Sequence, residues 1–304
     1  MDRFTEMEVF VHTAELGTMN KAAETLGISN AAVSRHLVSL ESRLNVRLVE
    51  RNTRRLSLTA AGQEFYTRCK TLLNDLGEAE TMVNATVVEP SGILTITASI
   101  SFSMMYIAPL IPEFRRRYPR IEVKIVGENR YYDIIDSGID LAIRTREFEA
   151  DSNITVRKLA ETRRVLAASP KYLKHRKTPK IAGELADHDL LIYSLANHPN
   201  TMEFTKDDET VSVKVSPMLE SNDGQIIRAA ALAGAGILIQ PKYLIYEDLV
   251  AGRLIPVLDD WRLPTLTINL AFQERRYMPT KTRLFINFLI EHFKKNEYER
   301  FWMR

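Results

Sequence analysis

Cysteine is nearly absent: Cys69 stands alone in 304 residues. No disulfide can form within the chain, and a redox switch built from two cysteines of one subunit is excluded; both fit a reducing compartment. The opening MDRFTEMEVF lacks a basic-then-apolar run, so no secretory signal is expected. No apolar stretch approaches the length that spans a bilayer. The chain is therefore expected to be cytoplasmic and without a membrane partner. Excess charge of one sign is missing too, since the formal net charge is only +2. Any affinity for nucleic acid must then come from a local patch. Catalytic signatures are likewise missing. The six histidines are scattered, and no HExxH, Gly-x-Ser-x-Gly or Ser-x-x-Lys pattern occurs. The AGAG at 233–236 lacks the spacing of a phosphate loop and reads instead as close helix–strand packing. The chain is read as a non-enzyme with no metal and no cofactor.

What is present suffices for proper cores: 45% of residues are hydrophobic and 26% charged. The length suggests two domains, the larger one subdivided.

The first sixty residues read as three helices and a hairpin. Thr5 and Glu8 fit a capping box, with Phe4 and Val9 as its hydrophobic staple. Gly17 ends that first helix. A second, NKAAETL, takes Asn20 as N-cap and shows a small-residue face at Ala22, Ala23 and Leu26. After Gly27, Ser29 caps a third helix whose apolar stripe is Val33, Leu37, Leu40 and Leu44. Two short helices joined by a tight glycine turn form a helix-turn-helix, whose second helix lies in the DNA major groove. That assigns the other face of the third helix. Asn30 and Arg35 can hydrogen-bond to bases or phosphates, Ala31 admits a thymine methyl, and Ser34 bonds either base type. His36 is read as a phosphate contact or simply exposed.

VRLVERNTRRLSLT then alternates as two strands around a tip, a wing that carries Arg51, Arg54 and Arg55 toward phosphates or a narrow minor groove. Between Ser29 and Arg55 six arginines face two glutamates, a local balance of +4. A solvated basic hairpin is the plainer alternative for the wing by itself.

Thr59 caps a long helix that runs toward Pro90. Phe65, Cys69, Leu72, Leu76, Ala79 and Val83 are spaced four, three, four, three, four, a heptad seam that argues for dimerisation. The alternative is a helix packed on its own domain. A two-fold dimer presents two recognition helices to a pseudo-palindromic duplex.

Beyond PSG the pattern becomes α/β. Strands are predicted at 93–99, 121–126 and 140–144, with helices at 104–119 and 131–138. A second run places strands at 163–169, 190–194, 211–215 and 236–241, with helices near 182–187 and 223–233. A return strand at 266–272 and a last helix at 280–295 close the chain. Two lobes joined by crossovers near 161–163 and 263–267 follow, with a ligand cleft at strand C-termini and helix N-termini. Ser99, Ile100 and Ser101 after the first strand, beside free helix N–H groups, make an anion site and point to a carboxylate. Glu128, Arg144, Thr145, Asn222 and Asp223 follow other strand ends and are candidates for the same cleft. Ser101, Ser103 and Asp223 also have a plain alternative as helix caps.

The segment GTMNKAAETLGISNAAVSRHLVSLESRLNVRLVERNTRRLSLTAAG resembles the N-terminal domain of the LysR-type transcriptional regulators. The match rests on Ala22-Ala23, Leu26, Ser29, Val33-Ser34-Arg35, Leu40-Glu41, Leu44, Arg51, Leu58-Thr59 and Gly62. Val49 stands where the family usually has phenylalanine, and Asn30-Ala31 where it often has Gln-Pro. AALAGAGILIQP and KTRLFINFLIEHF resemble the family's effector domain, so the likeness covers nearly the whole chain. It implies a winged helix-turn-helix (1–59), a linker helix that dimerises (60–89), and an effector domain (90–304) like a periplasmic solute-binding protein. Lobe 1 would take 90–162 and 267–304, and lobe 2 would take 163–266. It further implies base contacts around Asn30, Ala31, Ser34 and Arg35, wing contacts from the arginines, effector contacts in the 99–101 loop, and tetramers through effector-domain contacts. The competing class is a small-molecule binding protein whose N-terminal domain only associates subunits.

Overall fold

The computed structural model describes residues 2–51, 56–83, 90–129, 138–146, 154–207, 209–273 and 278–304. It divides into two units, Met1–Glu89 and Pro90–Arg304.

The first unit packs α1 (Arg3–Leu16), α2 (Met19–Leu26) and α3 (Asn30–Leu44) around Val9, Phe10, Val33, Leu37 and Leu40. Asp2, not Thr5, caps α1. Its carboxylate accepts from Phe4 N and Thr5 N at 3.3 and 3.4 Å, and the Thr5 hydroxyl itself donates to Asp2. A carboxylate at a helix N-terminus gains from the dipole as well as from the hydrogen bonds, so it displaces the hydroxyl cap. The expected staple is lost with that cap, since Phe4 is exposed while Val9 is buried. Thr18, not Asn20, caps α2, because Asn20 is engaged across the turn with Asn30. Ser29 caps α3 as the sequence indicates, accepting from Ala32 N at 3.2 Å.

The wing is β1 (Val49–Arg51) paired antiparallel with β2 (Leu56–Leu58), Val49 opposite Leu58. Its base is tied to α3 through Glu41, whose Oε1 accepts from Leu48 N and Val49 N at 2.8 and 3.0 Å. Val49 fills the core in place of a larger ring.

α4 (Ala60–Val83) starts at Thr59, whose hydroxyl accepts from Gly62 N at 2.9 Å. The heptad seam divides along this helix. Cys69 is 1% exposed within the core of its own domain, and Phe65 packs there too, its ring 5.6 Å from that of Phe10. Those two positions therefore serve the intradomain packing that was the alternative. Leu72, one turn on, is exposed, while the side chains of Ala79 and Val83 lie outside the described residues.

Among the described residues the second unit holds two five-stranded sheets. β3 (Gly92–Ala98), β4 (Ile121–Gly127), β5 (Leu141–Arg146), β14 (Leu266–Gln273) and β6 (Ile154–Thr162) form one, ordered β4-β3-β5-β14-β6. β3 runs parallel to β4 and β5, and β14 enters antiparallel between β5 and β6. The other sheet is ordered β11-β8-β12-β7-β13, from β7 (Arg164–Ala168), β8 (Leu190–Tyr193), β11 (Pro217–Ser221), β12 (Ile237–Pro241) and β13 (Ile255–Val257). The chain crosses between sheets at Arg163 and returns between Val257 and Leu266.

The predicted helix at 104–119 begins earlier and is broken. α5 (Ile100–Phe102) passes through a π turn (Ser103–Ile107) and a 3-10 turn (Ala108–Leu110) into α6 (Ile111–Arg117). Pro109 and Pro112 lack the N–H groups a regular helix would need there. The 182–187 helix is a 3-10 turn, and the strand at 211–215 belongs to a separate hairpin, β9 (Thr201–Lys206) with β10 (Glu209–Lys214). All but Gly138 of the helix read at 131–138 lies outside the described residues. α7 (Pro170–His175), α8 (Gly224–Ala233), α9 (Lys242–Val250), α10 (Thr280–Lys295) and α11 (Tyr298–Met303) complete the unit. Gly236 presses against the Asp189 carbonyl so tightly that a Cβ would lie 2.2 Å from it, which is the close packing read from AGAG.

Candidate nucleic-acid interface and ligand cleft

On α3 the two faces separate cleanly. Val33, Leu37 and Leu40 are buried, while Asn30, Ala31 and Arg35 are exposed and Ser34 is half-buried at the open side. The face is held by α1 beneath it. Glu6 is 2% exposed and accepts from Ser39 Oγ at 2.6 Å and from Arg43 Nε and Nη2 at 3.1 and 3.0 Å. Burial alone would raise the Glu6 carboxyl, but these hydrogen bonds and the guanidinium charge outweigh it and hold it below its ordinary 4.5. Arg43 is thus part of the scaffold, and the basic patch is smaller than the residue count suggests. His36 is half-buried, and its Nδ1 has no hydrogen-bond partner among the described residues. Arg51 lies on β1, with its side chain outside the described residues; Arg54 and Arg55 are also outside them.

In the second unit a cavity of about 150 Å³ opens between the two sheets. Ser99, Ser101, Glu128, Arg144 and Thr145 line it. Ile100, Asn222 and Asp223 do not. Asn222 is exposed, and Ile100 donates its N–H to Asn129 Oδ1 at 3.1 Å with its side chain turned partly to solvent. Asp223 is spent as the cap of α8, accepting from Gln225 N at 2.7 Å and from Asn129 Nδ2 at 3.0 Å. The expected free N–H groups after β3 are also largely engaged, since Ser99 Oγ accepts from Phe102 N.

Residues missed in the sequence matter here. Asn129 spans the loop after β4 and the start of α8. Arg146, Arg164, His198 and Gln240 also line the cavity. Arg146 was within reach of the reading, because it lies two residues beyond Arg144 on one strand and so on the same face. Gln240, a polar residue inside the apolar run GILIQP, was a second signal. Glu128 and the guanidinium-bearing Arg144, Arg146 and Arg164 all stand among the lining residues, and none of the four is without a partner. Ile143, Ile192, Met202, Ile239 and Leu263 supply apolar walls.

Comparison with known proteins bears on both units. Residues 4–63 match the bacterial regulatory helix-turn-helix protein of the lysR family, and residues 88–294 match the LysR substrate binding domain. The chain belongs to the LysR family of transcriptional regulators. The HTH-type transcriptional regulator CrgA of Neisseria meningitidis serogroup C is 34% identical over 292 residues, covering 96% of this chain and 97% of that one. PtxR of Pseudomonas aeruginosa is 31% identical, over 95% and 92%. The solved structure of CrgA superposes with a TM-score of 0.62 at 33% identity, over 95% and 98% of the two chains. Full-length AphB of Vibrio cholerae gives 0.61 at 29%, over 96% and 99%. As a LysR-type regulator the protein has a DNA-binding helix-turn-helix domain and a substrate-binding domain, and the α3 face and the intersheet cavity fall one in each. Among the described residues no helix is long and apolar enough to cross a membrane, and no group of three or more His, Cys, Asp or Glu could hold a metal ion.

Proposed function

We propose that this regulator reads a pseudo-palindromic operator in the cytoplasm through paired copies of α3 and the wing, and answers to a small carboxylate held between its two sheets. Asn30, Ala31, Ser34 and Arg35 contact base edges, and Arg51, Arg54 and Arg55 contact phosphates or the minor groove. Ser99, Ser101, Arg144 and Thr145 contact the effector, with Glu128 at its margin. The part of α4 that follows the exposed Leu72 pairs two chains, and effector domains join dimers into tetramers.

The observation that carries the DNA reading is the α3 face itself: exposed, made of short and hydrogen-bonding side chains, and placed at the N-terminus of the second helix of a helix-turn-helix. The guanidiniums of Arg144, Arg146 and Arg164 among the cavity-lining residues support the carboxylate. Selection of bound duplexes from a random pool, followed by gel shifts over a range of salt, tests the first. Recovery of an inverted repeat with a steep salt dependence is expected. A chain that bound no duplex better than a scrambled competitor would overturn it.

A further inference from the structure

Asparagine is among the commonest helix caps, yet neither Asn20 nor Asn30 caps its own helix. Thr18 caps α2 and Ser29 caps α3, so neither amide is called on for that duty. Both are exposed, and they meet across the turn of the helix-turn-helix, where Asn30 Nδ2 donates to Asn20 Oδ1. Stability gives little reason for the pair. Asparagine is a weaker helix former than alanine, and an exposed bond between amides competes with water. What the bond does is fix an orientation. The last torsion of a free asparagine side chain is broad and nearly two-fold, so its oxygen and nitrogen trade places. Joined to Asn20, the Asn30 amide keeps one arrangement at the first position of α3.

The polarity of the bond decides what each amide has left to offer. An asparagine amide carries two N–H groups and one oxygen. Asn30 gives one N–H to Asn20 and keeps its oxygen and a second N–H. Adenine in the major groove asks for that combination, a donor for N7 and an acceptor for the N6 amino group. Asn20 gives its oxygen and keeps two N–H groups. It stands on α2, the first helix of the motif, which crosses the DNA backbone, where phosphate oxygens take donors. The opposite polarity would set the Asn20 oxygen against phosphate.

We propose that Asn20 is a positioning residue for base recognition: its N–H groups hold a phosphate while its oxygen locks Asn30 in the orientation that reads adenine. Asn20 takes the Asn30 N–H remote from the Asn30 oxygen, so the oxygen and the nearer N–H face the base. A phosphate contact, which carries no sequence information by itself, thereby sharpens base preference. This rests on the reading of α3 as the recognition helix.

The test uses the full chain and the operator it selects from random duplexes. Competition gel shifts then compare that operator with duplexes changed at single base pairs. One position in each half-site should prefer adenine by about tenfold, and Asn30→Ala should erase that preference. A deaza-adenine that keeps N6 but lacks N7 should lose most of it. Asn20→Ala should erase the same preference, leave preferences at other positions intact, and not lower the melting of the chain. Asn20→Asp keeps an acceptor for Asn30 but sets a negative charge against phosphate. It should retain the adenine preference and weaken every duplex alike. A pair that only stabilised the turn would move melting and not base preference. If Asn20→Ala keeps the preference that Asn30→Ala removes, Asn30 reads without Asn20 and the inference is overturned, with the operator reading intact. If Asn30→Ala changes no base preference, the adenine contact falls. A chain that prefers no duplex overturns the operator reading and this inference together.

Discussion

Gly62 is the position where a small substitution should have an effect opposite in sign to its usual one. Inside an exposed helix, glycine to alanine ordinarily stabilises by about 0.5–1 kcal/mol. Here a Cβ would lie 2.0 Å from the Leu48 carbonyl oxygen and 2.9 Å from its carbon. Both are backbone atoms, so no rotamer relieves the contact. Non-bonded atoms do not approach closer than about 3 Å, and α4 would have to retreat from the wing base by about 1 Å. That retreat strains the Thr59 N–H to Leu48 carbonyl bond of 3.0 Å and the Thr59 cap on Gly62 of 2.9 Å. It also lifts Phe65 and Cys69 from the α1 core. Overpacking costs about 1–3 kcal/mol and a lost cap about 0.5–2 kcal/mol, so Gly62→Ala should destabilise the N-terminal unit by about 3 kcal/mol. At about 4–8 °C per kcal/mol for a unit of this size, its melting transition should fall by roughly 10–25 °C. Calorimetry of the intact chain, with and without an effector-domain ligand to separate the transitions, would show the Pro90–Arg304 unit unmoved. An unchanged or raised transition for the N-terminal unit would refute the packing argument.

Arg35→Ala should weaken operator binding by about 1–3 kcal/mol and relax base preference, measured by competition gel shift; equal loss on every duplex would remove its role as a reader. Leu72→Asp should shift the chain from dimer toward monomer in sedimentation without lowering the melting of the N-terminal unit, whereas Cys69→Asp should lower that melting. Because the Glu6 carboxyl is held below its ordinary value, its contribution is fully present above pH about 4.5 and is lost as pH falls through its depressed folded value. Urea unfolding of the N-terminal unit from pH 7 to 3 should show this acid limb, and Glu6→Gln should flatten it. Trp302, 1% exposed, should cost about 3–5 kcal/mol of effector-domain stability as Trp302→Ala, and a loss below about 1 kcal/mol in urea unfolding would contradict its placement.

The elements that could be read from the residues are those whose signals are local. Ser29, Gly27 and the 3.6-residue stripe of α3 fix the recognition helix within a few positions, and Thr59 fixes the start of α4. Caps failed where an upstream side chain started the helix earlier, as Asp2 did three residues before Thr5 and Thr18 two before Asn20. The seam divides for a different reason. Heptad spacing shows that a stripe will be buried, not against what, and α1 of the same domain reaches Phe65 and Cys69 first. The cleft was half legible. Residues that end strands, such as Ser99, Glu128 and Arg144, could be named, but no local signal says that Asp223 is consumed as a cap or that Arg164 and Gln240 arrive from the other sheet.

Nor does any local pattern show how the two sheets are coupled. Tyr243 lines the cavity, yet its carbonyl accepts from Tyr106 Oη at 2.8 Å. Its ring packs edge-on against Phe102, with centroids 5.5 Å apart, and lies 5.8 Å from Trp302. Burial, with the neighbouring tyrosines adding to it, pushes the Tyr106 phenol far above its ordinary value, so it stays a neutral donor at every physiological pH. The Trp302 carbonyl in turn accepts from Arg163 N, at the crossover, and the Glu299 carboxylate accepts from Glu161 N. One residue of the cavity wall is therefore bonded to the helix after β3 and packed against the C-terminal helix that braces the crossover. Packed aromatic contacts of this kind resist small rotations, because separation by a fraction of an ångström forfeits much of their dispersion energy. A ligand that draws the sheets together works against this cluster, so its affinity depends on the packing around Tyr243 as well as on the groups it touches.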